Sequence, residues 1–170
     1  DCDSAVDEDC PPTGDTGSVF GDTGLLGGDT AIDTTCVGNY TIADYSDLLP
    51  IQHCEVITGN LTVTATDISS VWLQNLQIVY GDIQIYDATM VTSMDGLASL
   101  REVSGLLLLG NLHSLTDISG LSALYLLGDG NYTHVLFVYD NPLLCQDDVD
   151  ALEQGISNLV GDIFYQNNDG

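Results

Sequence analysis

Acids are the most abundant reactive side chains in this sequence. The opening stretch, Asp1 to Asp9, packs Asp1, Asp3, Asp7, Glu8 and Asp9 together, and Asp15, Asp22, Asp29 and Asp33 recur beyond it. Oxygen ligands of this kind suit Ca²⁺. The spacing is not that of an EF-hand. The expectation is therefore a calcium-binding stretch with Asp1, Asp3, Asp7, Asp9, Asp15, Asp22 and Asp29 as ligands, set against a plain charged surface. No cofactor is required. A second group, Asp82, Asp87, Asp140 and Asp162, lies beside apolar segments. If those segments stack as strands about 4.8 Å apart, the four acids could form a row. A solvated acidic edge is the simpler reading of that row.

Other chemistry is thinly represented. The sequence has no Gly-x-Ser-x-Gly, His-Glu-x-x-His, phosphate loop or Cys-x-x-Cys. His53, His113 and His134 occupy non-equivalent places and read as surface or corner residues. An enzyme is not expected. Asn39, Asn60 and Asn131 each begin an Asn-x-Thr glycosylation sequon.

Charge narrows the partners. One basic side chain, Arg101, stands against 26 acids, for a net charge of −25. Such a surface repels nucleic acid and anionic lipid, whose phosphates need Lys and Arg. Divalent cations or high salt suit it. Five cysteines point to an oxidising compartment. No run is long enough to span a bilayer, and no signal peptide is recognisable, so the sequence reads as a mature secreted chain with an extracellular or cell-surface location.

The elements that position these groups fall into two blocks. Residues 1–35 form an Asp/Gly/Thr-rich extended arm. Within it, three near-heptads place the apolar pairs Val19-Phe20, Leu25-Leu26 and Ala31-Ile32 at regular intervals. Beyond Cys36 a different repeat appears. Gly59-Asn-Leu-Thr-Val63, Gly81-Asp-Ile-Gln-Ile85, Gly105-Leu-Leu-Leu-Leu109, His134-Val-Leu-Phe-Val138 and Gly161-Asp-Ile-Phe-Tyr165 share an alternating apolar pattern, about 22 to 29 residues apart. Alternation predicts strands with one face inward. The inward set is Leu61/Val63, Ile83/Ile85, Leu107/Leu109, Leu136/Val138 and Ile163/Tyr165. Between them recurs Leu-x-x-Leu-x-x-Val-x-Gly, at Leu73–Gly81 and Leu97–Gly105, with a variant from Leu121. One strand and one return per repeat make a solenoid coil, which buries its apolar ladder only by stacking. The glycine before each strand is expected to allow a tight corner. Ile42–Leu49 is expected as a capping helix stopped by Pro50, and Asp147–Ile156 as a second helix. The expected fold is mainly β: a right-handed β-helix of about five coils with short capping helices, preceded by the arm.

The segment from Cys36 to Val63, with Cys36 and Cys54 flanking a short helix before a Gly-Asn-Leu strand, resembles the start of a receptor L domain. The Leu-x-x-Leu-x-x-Val-x-Gly phrases and Asn141-Pro-Leu-Leu-Cys145 are similar to the same family, over about residues 36–168. The resemblance implies the leucine-rich β-helix just described, over residues 36–170, and a Cys36–Cys54 disulfide. Cys2 and Cys10 are candidates for a local pair. Cys145 is either a buried thiol or bonded to Cys2 or Cys10, within the chain or between subunits.

Two functions follow. The first is an extracellular structural protein that self-assembles into a filament or surface layer, gripping other copies of itself through Val19, Phe20, Leu25, Leu26 and Ile32. The second is a monomeric binding or adhesion module for a protein or glycan, with the arm as a stalk. The recurrent apolar pairs favour the first, because a stalk has no use for them.

Overall fold

The computed structural model describes residues 33–168. The chain divides into two units between Ala31 and Ile32, and the described residues belong to the second. The expected calcium ligands Asp1 to Asp29, the assembly residues Val19, Phe20, Leu25, Leu26 and Ile32, and Cys2 and Cys10 lie outside the described residues.

The described chain is mainly β. Its strands are β1 (Thr35–Cys36), β2 (Tyr40–Ile42), β3 (Val56–Ile57), β4 (Leu61–Val63), β5 (Ile78–Val79), β6 (Ile83–Tyr86), β7 (Glu102–Val103), β8 (Leu107–Gly110), β9 (Leu126–Leu127), β10 (His134–Tyr139), β11 (Asn158–Leu159) and β12 (Asp162–Gln166). Odd-numbered strands form one six-stranded sheet and even-numbered strands a second, with every pairing parallel and in chain order. Each sheet thus has six rungs, where about five were expected. The extra rung is β2. Its phrase Gly38-Asn-Tyr-Thr-Ile42 repeats the pattern of Gly59-Asn-Leu-Thr-Val63, so the signal was present in the sequence.

The predicted inward ladder is buried along Leu61/Val63, Ile83/Ile85, Leu107/Leu109 and Leu136/Val138. At about 1.5–3 kcal/mol per fully buried side chain of this size, the ladder is a main source of stability. Ile42 extends it onto the first rung. The last rung departs from expectation: Ile163 is half-buried and Tyr165 exposed, because no further described strand stacks on β12. The short strands of the other sheet contribute a second inward row, Cys36, Ile57, Val79, Val103 and Leu127.

The first capping element is a short helix, as expected, but of 3₁₀ type and displaced to Tyr45–Ile51 from Ile42–Leu49. Ile42 is held in the sheet. Asp44 starts the turn, accepting from Ser46 N at 2.8 Å, while Asp47 accepts from Ala43 N and Asp44 N. Pro50 does not stop it, since the fixed φ of proline suits a 3₁₀ turn and Ile51 must be buried. The Cys36–Cys54 disulfide ties this turn to β1, with the two Cα atoms 5.7 Å apart. The second helix, α1 (Gln146–Gly155), falls where it was expected, buries Val149 and Leu152, and carries Asp147 and Asp148 in its first turn, where the helix dipole favours acids. Cys145 precedes it and is exposed, which corrects the buried-thiol alternative, Leu144 being the buried residue; the other alternative, a bond to Cys2 or Cys10, involves residues outside those described.

The pre-strand glycines divide: Gly38 and Gly161 take positive φ, 109° and 148°, as a tight corner requires, while the three between them serve close stacking. Gly59, Gly81 and Gly105 have no positive φ. A Cβ there would instead run into the side-chain oxygen of Asn39, Asn60 or Asp82 on the preceding rung.

Candidate binding face

Strand alternation puts one residue of each long rung on the outside of the even-numbered sheet, between the two inward residues. In register these are Thr41, Thr62, Gln84, Leu108, Phe137 and Phe164. The row changes from polar to apolar along the stack. Phe137 and Phe164 lie with ring centroids 6.0 Å apart, and His134 is 6.0 Å from Phe137. A second outward row places Tyr86, Gly110 and Tyr139 side by side. A Cβ on Gly110 would lie 2.5 Å from Cζ of Tyr139, so the missing side chain makes room for that ring. Leu108, Phe137, Tyr86 and Tyr139 are half-buried and Phe164 is 40% exposed. The result is an apolar, aromatic surface on four consecutive rungs of a rigid parallel sheet.

Carboxylates rim this surface. Asp82 and Asp162 stand where strands enter the sheet, and Asp87 and Asp140 where they leave it. The four do not form one row. At the leaving corner the register runs Asp87, Asn111, Asp140, Asn167, all with φ between 54° and 57°. Asn and Asp tolerate this left-handed conformation best among residues other than glycine. Asn111 Nδ2 donates to Asp87 at 3.0 Å, and Asn167 Nδ2 donates to Asp140 at 2.6 Å. An amide thus separates the acids and neutral donors meet each carboxylate. At the entering corner Asn39, Asn60 and Asp82 form a similar chain, each accepting a backbone N–H from the next rung at 2.8–3.0 Å. Beside the leaving corner, buried Asn141 holds Leu112 N, Leu109 O and Asn168, and Asn168 reaches Val138 O.

The ladders hold two of the three sequons, Asn39 and Asn60. Asn39 and Asn131 are exposed and Asn60 is half-buried within its ladder. The three histidines are exposed, as expected. His53 Nε2 lies 3.9 Å from Cys36 Sγ. Cys36, His53 and Cys54 are the one group of three potential ligands that converge among the described residues, and the two sulfurs there are bonded to each other. Two grooves lie elsewhere: one of about 190 Å³ between the 3₁₀ turn Ser119–Leu121 and α1, and one of about 260 Å³ beside Trp72, Gln74, Asn75 and Gln52. Neither brings sequence-predicted site residues together.

The acids were singled out from the sequence, but the aromatic row was not. Its signal was the middle residue of each alternating phrase, which becomes Leu108, Phe137 and Phe164 in the later repeats.

A search of curated proteins finds no match to the chain. A family model described as "Receptor L domain" matches residues 53–169. That match begins at His53, inside the first cap, where the resemblance had begun at Cys36. Receptor L domains are ligand-binding rather than enzymatic, and typically extracellular. The disulfide accords with such a setting, and among the described residues no helix is long and apolar enough to cross a membrane. Two parallel sheets in register, a disulfide-tied first cap and a match over more than half its length establish that the chain belongs to the receptor L domain family.

Proposed function

We propose that the described domain is an extracellular, non-catalytic binding module that recognises a protein through the outer face of its even-numbered sheet. The observation that carries this reading is the registered row Leu108, Phe137 and Phe164 with Tyr86 and Tyr139 beside it. Aromatic residues clustered on a rigid surface are what protein interfaces are anchored by. With the right-handed connections general among parallel crossovers, the scaffold is a right-handed β-helix, and its rungs hold the face without induced fit.

The test compares wild-type protein with Phe137→Asp and Phe164→Ser as bait in the producing organism's extracellular fraction. A partner identified on wild type is then purified and its binding reconstituted by calorimetry. Loss of binding in both variants, with unchanged melting, supports the reading. Equal binding by all three proteins sinks it.

A second reading, self-assembly through the N-terminal arm, is favoured by one feature of the sequence: the seven-residue recurrence of Val19-Phe20, Leu25-Leu26 and Ala31-Ile32. Each pair could bury enough apolar surface against a neighbouring copy to contribute a few kcal/mol. Light scattering with and without residues 1–32, in calcium and in high salt, tests it. A monomer under every condition removes this reading.

A further inference from the structure

We propose that the partner of the aromatic face presents lysine or arginine side chains around an apolar centre. This rests on the reading of that face as a binding surface. The centre of the face is uncharged: Leu108, Phe137, Phe164, Tyr86 and Tyr139. Its two borders are acidic: Asp82 and Asp162 along one, Asp87 and Asp140 along the other. Five residue steps of extended chain lead from Asp82 to Asp87, about 17 Å at the usual strand rise. A partner apolar enough to cover the rings therefore brings its own flanks over both borders.

No lysine or arginine in the described domain offsets those borders, and a single imidazole, His134, stands in register with Asp162. The lone Arg101 lies just before β7, in the other sheet, and no lysine exists in the chain. The carboxylates of Asp87 and Asp140 meet amide donors on their own ladder but no cation. An acidic partner would add like charge at short range to a chain already at −25. A second copy of this chain, offering the same face, would set acid against acid. A partner with cationic flanks gains at both borders and is steered to the face as it approaches.

The borders can be neutralised without disturbing the fold, because the protein already uses asparagine in the same places. Asn60 fills the ladder position of Asp82 one rung earlier, accepting the same kind of backbone bond. Asn111 and Asn167 share the positive φ of Asp87 and Asp140. A variant with Asp82→Asn, Asp87→Asn, Asp140→Asn and Asp162→Asn keeps the aromatic face and loses its rim charge.

The experiment selects random 16-residue displayed peptides on full-length wild-type protein, with counter-selection on Phe137→Ser, which removes the ring and leaves the net charge unchanged. Phe164→Ser serves for counter-selection if Phe137→Ser melts early. Recovered peptides are titrated against wild type and the four-Asn variant at low and high salt. The expected result is Lys or Arg on both sides of an apolar centre, affinity at least ten-fold weaker for the four-Asn variant, and a flatter salt dependence. Face-dependent peptides that are neutral or acidic overturn the inference and leave the binding face standing. So do basic peptides that bind the four-Asn variant equally well. Recovery of no face-dependent peptide overturns both the inference and the binding-face reading.

Discussion

The ring of Tyr139 lies over Gly110 of the neighbouring rung, in the space a Cβ would take 2.5 Å from its Cζ and 2.7 Å from its hydroxyl oxygen. Glycine is used here for what it lacks, and the aromatic surface depends on it. Gly110→Ala should displace the ring and destabilise the protein by about 1 kcal/mol, the low end for overpacking because a ring at the end of a side chain can swing away. Adding Tyr139→Ala should recover most of that loss. A double-mutant cycle from urea melts checks this; additive costs would mean the two residues do not press on one another.

Leu107 sits fully buried in the middle of the inward ladder, paired with Ile83 and Leu136. Leu107→Ala should cost about 2–5 kcal/mol in a denaturant melt. Leu108→Ala, one residue on and facing outward, should cost far less. Equal costs would contradict the alternation on which the proposed binding face rests.

The Cys36–Cys54 bridge closes a loop of sequence separation 18. On the chain-entropy account such a loop is worth about 3 kcal/mol. A Cys36→Ala/Cys54→Ala double variant should lose about that much in a urea melt. Amide exchange should rise first in Tyr45–Ile51, the turn the bridge holds. Exchange that rises instead in α1 would show that the bridge does not secure this cap.

Two carboxyls link stability to acid. The Ser46 hydroxyl, then its N–H, hold Asp44 below its ordinary value of 3.8, and the Ser119 N–H does the same for Asp117. Groups with depressed folded values contribute stability above the unfolded value, and that contribution is lost as pH falls through the folded value. Asp44→Ala and Asp117→Ala should each be less stable than wild type at pH 7. The gap should narrow below pH 3.8, in urea melts run at pH 7 and pH 2. A gap independent of pH would assign these bonds no charge-dependent part.

The repeat was largely legible in the sequence, since a period-two pattern recurring every 22 to 29 residues can bury its apolar side only by stacking. Two elements escaped for physical reasons. Gly38-Asn-Tyr-Thr-Ile42 carries the strand phrase, but Ile42, Leu48 and Leu49 also fit a helical stripe, and only sheet pairing with β4 decides between them. Val135 is buried beside Leu136 because the register of β10 slips between His134 and Leu136, which simple alternation does not show. The candidate site was half legible. Its acids announced themselves by type. Its aromatic row is defined by neighbours on other coils, 27 to 29 residues apart in the chain, and needed the register to be seen.

The alternation of Asp87, Asn111, Asp140 and Asn167 along one corner constrains how this molecule can change length over evolutionary time. Duplicating or deleting a single coil within that stretch would set two carboxylates directly against each other about 4.8 Å apart, or two amides, which can still hydrogen-bond to one another. Adding or removing coils in pairs preserves the alternation and its Asn-to-Asp bonds. The corner thus works as a parity check on the repeat: growth by even steps leaves it intact, and an odd step that brings two carboxylates together demands a compensating substitution.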